Sequence, residues 1–143
     1  MNRREIIQAI GATATAIIGG TTLYAADDKS SSHNQGHHCA DVCADCMVVC
    51  ASHVKHCSQR LSMGRKEYAR CLELCIACSE LCSASAKNVL SPLGAITCDA
   101  YAKACDACAA ECEKFPDDEQ MANCAKSCRN CAKSCREFVR HNS

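Results

Sequence analysis

Four rows of cysteines with a shared spacing constrain this chain more than any other feature: CADVCADCMVVC at 39–50, CLELCIACSELC at 71–82, CDACAAEC at 105–112 and CAKSCRNCAKSC at 124–135. Steps of three and four residues return a side chain to the same face of an α-helix, whereas a strand needs steps of two. Each row therefore predicts one helix with a stripe of sulfur. Extended at the same rhythm, the first stripe reads Cys39, Cys43, Cys46, Cys50, His53 and Cys57, and the second Tyr68, Cys71, Cys75, Cys78, Cys82 and Ser85. The third reads Cys98, Tyr101, Cys105, Cys108, Cys112 and Phe115, and the fourth Met121, Cys124, Cys128, Cys131, Cys135 and Phe138. All seventeen cysteines fall on these stripes.

The residues around the stripes agree with helices. Glu73, Asp106, Lys126, Arg129, Lys133 and Arg136 point away from the sulfur, while Val42, Val49, Val54, Leu72, Leu74 and Leu81 flank it. Helix-breaking residues lie between the rows, at Ser62-Met63-Gly64, Ser91-Pro92-Leu93-Gly94 and Phe115-Pro116-Asp117-Asp118. Connections this short favour antiparallel neighbours. The expected fold is all-α, an antiparallel up-down-up-down four-helix bundle with a cysteine-lined core, occupying 39–143. Each helix should run about 18–22 residues, or roughly 27–33 Å.

A core of thiols needs a reason. Leu or Ile at the same positions would bury more apolar surface, so simple packing does not explain the choice. Disulfides are a poor match, because neighbouring positions along one helix do not favour S–S geometry and seventeen is odd. Metal makes sulfur necessary. Thiolates select soft ions such as Cu(I), and Zn(II) and Fe–S clusters also use them. A monovalent ion shared between bridging thiolates brings ion and thiolate counts close together, so the buried charge cancels. Zinc at four donors per site would give about four ions from this many thiols. A zinc or mixed-metal thiolate detoxification protein and an Fe–S or redox carrier stay open as alternatives.

Other motif readings are weaker. The C-x3-C-x2-C spacing at 39–46, 71–78 and 124–131 matches a radical-SAM signature, but it repeats within helices on a chain too short for a barrel of about 250 residues. The C-x2-C pairs lack the βαβ setting of a thioredoxin, and the bacterial ferredoxin run is absent. Lys+Arg and Asp+Glu balance at 16 each, Trp is absent and aromatics are few, which argues against nucleic-acid binding. No Ser/His/Asp set or paired carboxylate is placed for catalysis, so no enzyme is expected.

Ahead of the rows, Asn2-Arg3-Arg4-Glu5-Ile6-Ile7-Gln8 resembles a twin-arginine export motif, followed by the mild apolar run AIGATATAIIGG. Residues 1–26 are expected to be a signal peptide, cleaved after Ala25 or Ala26, leaving no membrane span in the mature protein. The polar stretch 27–38, with His33, His37 and His38, reads as a flexible His-containing linker.

The repeated C-x3-C-x2-C-x3-C rows and the bundle pattern over 39–140 resemble the bacterial copper storage proteins, and the leader resembles their exported, twin-arginine type. That resemblance implies a four-helix bundle binding multiple Cu(I) ions through core cysteines. It also implies delivery to a copper-requiring enzyme or chaperone, and a homo-oligomer, a tetramer among relatives. The location implied is the periplasm or an internal membrane-associated compartment. In the family, metal passes through one open end lined by Met or His. Here that end would carry His53, Met63 and Met121, with His56 facing outward, and Ser85, Val89 and Phe138 would plug the other.

Overall fold

The computed structural model describes residues 26–143, so the twin-arginine motif and the apolar run after it lie outside the described residues. Four helices follow one another: α1 (Ala26–Ser62), α2 (Ala69–Asn88), α3 (Gly94–Cys112) and α4 (Glu119–Asn142), with a 3-10 turn at Lys66–Tyr68. No strand occurs among the described residues.

The expected breaks are where the helices end. Gly64 adopts φ 82°, a left-handed conformation that costs glycine nothing. Around it, Arg65 N–H donates to Arg60 O at 3.0 Å and Gly64 N–H to Leu61 O at 2.9 Å, the paired bonds of a Schellman cap. Gly94 is required for another reason. A Cβ there would lie 2.0 Å from the Val89 carbonyl oxygen, so only glycine lets the α2–α3 turn close this tightly. At the start of α4, Asp118 Oδ1 accepts from Gln120 N–H at 3.2 Å and Met121 N–H at 3.4 Å, an N-cap written into the sequence by Asp before the stripe resumes.

The helices form a ring in which each packs on its two neighbours, α1 closing against α4. Sulfur pairings give their directions. Cys39 meets Cys135 while Cys50 meets Cys128, so α1 and α4 run oppositely. Cys71 meets Cys112 while Cys82 meets Cys105, so α2 and α3 do too. Across the diagonal, Cys75–Cys124 and Cys82–Cys131 advance together, so α2 and α4 are parallel. The up-down-up-down topology follows. Leu72 and Leu74 pack against the core as expected, whereas Leu81 remains 38% exposed.

The expected linker is not found. Residues 27–38 are not a linker but the opening turns of α1, which runs 37 residues instead of about 20. Their polarity hides the anchor. Gly36 lies on the α1 stripe one step before Cys39 and is buried, and a Cβ there would sit 2.4 Å from Leu90 Cδ2 and 3.3 Å from Phe138 Cε2. Once that close packing holds one turn, adding polar turns in front is cheap, because propagation costs far less than nucleation.

Outside, Arg129 ties α3 to α4, donating to Asp106 at 2.9 Å and Glu113 at 2.8 Å, with Arg136 on the other Asp106 oxygen. These exposed pairs contribute register more than stability. Gly94→Ala is expected to cost about 1–3 kcal/mol, since backbone must move. Gly36→Ala should cost less, because the end of the Leu90 side chain can turn away; urea unfolding of the metal-free protein measures both.

Candidate metal centre

Seventeen sulfurs share one enclosed lane. Every cysteine is 1% exposed or less, and all are free thiols. Neighbouring sulfurs are 3.4 Å apart at the closest, Cys71–Cys112, far beyond the roughly 2.05 Å of a disulfide. Along single helices, Cys46–Cys50 and Cys71–Cys75 stand at 4.0 Å and Cys78–Cys82 at 3.9 Å, as one helical turn dictates. Between helices the gaps are similar: Cys43–Cys131 3.6 Å, Cys50–Cys128 3.5 Å, Cys75–Cys108 3.8 Å and Cys78–Cys105 3.7 Å.

These contacts assemble into cages. Cys46, Cys50, Cys78 and Cys128 lie within 4.8 Å of one another; so do Cys46, Cys78, Cys82 and Cys105, then Cys50, Cys108, Cys124 and Cys128, and then Cys75, Cys108, Cys112 and Cys124. Cys39, Cys43 and Cys135 form a three-sulfur group nearer one end. The cages share corners. Cys46, Cys50, Cys78, Cys108, Cys124 and Cys128 each belong to two of them. A thiol that belongs to two cages is placed to bridge two ions, and a chain of such cages is continuous. Isolated tetrahedral sites, each with its own four ligands, would not share this way.

The electrostatics follow from packing like groups together. Hydrogen bonds from Cys105, Cys128 and Cys131 pull the Cys46 thiol below its usual value, while contacts with Cys108, Cys124 and Cys46 push Cys128 above it. Cys78 and Cys82 fall to about 6, with Cys105 the largest influence on both, and Cys108 falls to about 6 chiefly through Cys112. Each thiolate is held by the protons of its neighbours, so the lane cannot ionise all at once without cations to replace those protons.

The two ends differ. At one, Ser85 stands where the stripe would carry another cysteine, its Oγ 3.2 Å from Cys43 Sγ and 3.9 Å from Cys98 Sγ. Beyond it Val89, Phe138 and Gly36 close the lane, as a plug. At the other end Met121 is fully buried on its stripe, and Tyr68 stacks on Phe115 with ring centroids 4.2 Å apart. Met63 is 71% exposed on the α1–α2 turn at that end. His53 is buried, but its ring nitrogens face the carbonyl oxygens of Val49, at 2.7 Å, and of Gln120. It must rotate before it can offer a lone pair to a metal.

His56 corrects the sequence reading. Expected to face outward, it is only 6% exposed, and its Nε2 hydrogen-bonds Asp118 Oδ2 at 2.8 Å. Tyr68 donates to the same oxygen at 2.9 Å, and Arg60 approaches it to 3.5 Å. Burial opposes ionisation of Asp118, but the bonds from His56 and Tyr68 outweigh it and hold the carboxyl below its ordinary value. The sequence signal for Asp118 was its N-cap position. Nothing in the stripe announces that its second oxygen would gather three side chains from two other segments.

Comparisons with known proteins bear on this geometry. The family model described as Csp, copper storage protein, matches residues 30–140. Among solved structures, the Cu(I)-bound copper storage protein BsCsp3 is similar with a TM-score of 0.67 and 29% identity, over 73% of this chain and 98% of that one. The Nmul_A1745 protein from Nitrosospira multiformis is similar with a TM-score of 0.65 and 29% identity, over 76% and 97%. No curated protein sequence matches the chain.

Cys57, the α1 cysteine nearest the Met121 end, is raised to about 11, first by its hydrogen bond with Cys71 and then by burial, against an opposing contact with Cys75. A raised thiol stabilises the fold fully below the unfolded value of 9.0 and loses that contribution as pH rises through about 11. Metal-free Cys57→Ala should therefore lose less thermal stability than the parent between those two pH values. Anaerobic melts followed by circular dichroism give the comparison.

Proposed function

This chain belongs to the copper storage protein family, and we propose that it holds multiple Cu(I) ions on the thiolates of its seventeen core cysteines, from Cys39 to Cys135. The observation that carries this reading is the corner-sharing of the four-sulfur cages. Shared thiolates let the ion count approach the thiolate count. Only a monovalent ion then leaves the lane close to neutral, which a buried lane requires. The similarity to a structure described as a Cu(I)-bound copper storage protein supports the same ion.

Storage asks for reversible binding and no turnover, and the chain is read as a non-enzyme: its reactive groups are thiols walled off from substrate. Metal passes through the end that carries Met63, Met121 and His53, where thioether and imidazole bind Cu(I) less tightly than thiolates and so can pass it on. Exposed Met63 suits the first contact and buried Met121 the last before sulfur. The plug of Val89 and Phe138 closes the alternative route. Arg3-Arg4 and the apolar run support export by the twin-arginine route to the periplasm or a membrane-associated compartment. No described helix is long and apolar enough to cross a membrane. Val48, Ile76 and Leu81, exposed on α1 and α2, support a homo-oligomer. The recipient of the copper would be a copper-requiring enzyme or a chaperone.

Anaerobic titration with Cu(I), counting ions per chain, is the test. A count near the number of thiols is expected; a plateau at about four would instead indicate separate tetrahedral sites. Cys43→Ala with Cys46→Ala should lower the plateau by several ions while circular dichroism stays helical, because each stripe supplies only part of the lane. Complete loss of copper binding in that variant would contradict a distributed store.

A further inference from the structure

Of the protein's 6 histidines, two sit at the open end. The other four, His33, His37, His38 and His141, lie on the opening turns of α1 and the last turn of α4. The antiparallel pairing of those helices, fixed where Cys39 meets Cys135 at 3.7 Å, brings all four to the plugged end of the bundle. Between α1 and α4 at this end lies a pocket of about 160 Å³ lined by Gln35, His38, Ser134, Glu137, Arg140 and His141, with Phe138 also in its wall. The Oε1 atom of Gln35 is buried and has no hydrogen-bond partner. A buried acceptor oxygen without a donor is a cost that needs an explanation.

We propose that this pocket is a second metal site, separate from the thiol lane, which takes a borderline divalent cation such as Zn(II). Two imidazoles, one carboxylate and one amide oxygen make a nitrogen and oxygen donor set. Such a set suits Zn(II) and is wrong for a soft monovalent ion, which the thiolates select instead. A cation also satisfies the Gln35 oxygen. An anion would meet that oxygen and the Glu137 carboxylate with repulsion. Two positive charges stand nearby, both exposed and able to turn toward solvent: Arg140, which also lines the pocket, and Lys133, 75% exposed, which reaches Glu137 Oε1 only at 4.0 Å. Bound here, the ion clasps the polar opening turns of α1 to the end of α4, on a segment that has little apolar surface of its own to hold it. The same end offers a competing arrangement, because His33 and His37 stand one helical turn apart with ring centroids 4.5 Å from each other.

The test uses the full chain, loaded with Cu(I) so that the thiols are occupied, then exposed to Zn(II) and freed of excess. Both metals are counted in the same samples. The parent should retain one Zn(II) per chain, and His38→Ala with His141→Ala should lose that ion while copper content and helical circular dichroism stay unchanged. In the parent, the imidazole NMR signals of His38 and His141 should shift on adding Zn(II). Equal zinc in parent and variant, no zinc retained by the parent, or loss of the ion on His33→Ala with His37→Ala instead, each overturns the site. The copper count reports separately on storage. A chain that takes up no copper, yet loses one zinc on changing His38 and His141, still has this site.

Discussion

Burial of seventeen thiols in one lane is the constraint on which the rest of the structure depends. A cysteine in place of leucine gives up on the order of 1–2 kcal/mol of apolar burial, at about 0.8 kcal/mol per methylene. Repeated down four helices, that sacrifice is large beside the roughly 5–15 kcal/mol by which a domain is stable. Such a core is under-stabilised as hydrocarbon and over-supplied with ligands. Cations that bind the folded lane and not the unfolded chain restore the balance by mass action, so loading and stability rise together. The metal-free bundle still has Met121, Val89, Tyr68 and Phe138 at its ends to hold helices in register.

The ends do different work because their polar groups are arranged differently. At the Met121 end, Asp118 caps α4 with one oxygen and gathers His56, Tyr68 and Arg60 on the other. This network fixes three segments around the lane without filling it with hydrocarbon. Arg65 lies over the Tyr68 ring at 5.5 Å and adds to the same anchor. The far end is closed by apolar side chains packed on a glycine, and its histidines stand outside that closure. Soft donors lie within the bundle and borderline donors on its surface, which is how one small chain can keep two classes of metal chemistry apart.

The three-four spacing by itself determined the number of helices and the sulfur stripe on each, and the Gly and Pro breakers between the rows the short connections, because both signals are local and cysteine appears nowhere else in the chain. Burial of every thiol was legible for the same reason, and with it the kind of ligand the interior offers. The partners of particular sulfurs were not legible: that Cys128 would meet both Cys46 and Cys50, or that cages would share corners, depends on the register between helices. Nor could the polar run 27–38 be recognised as helix, because its hold comes from Leu90 and Phe138, distant in sequence, closing on Gly36. His56 was misplaced on the surface because the carboxylate that makes its burial tolerable lies 62 residues away. Periodicity along a chain assigns faces; only packing decides which faces meet, since contact energies act between residues that spacing alone does not relate.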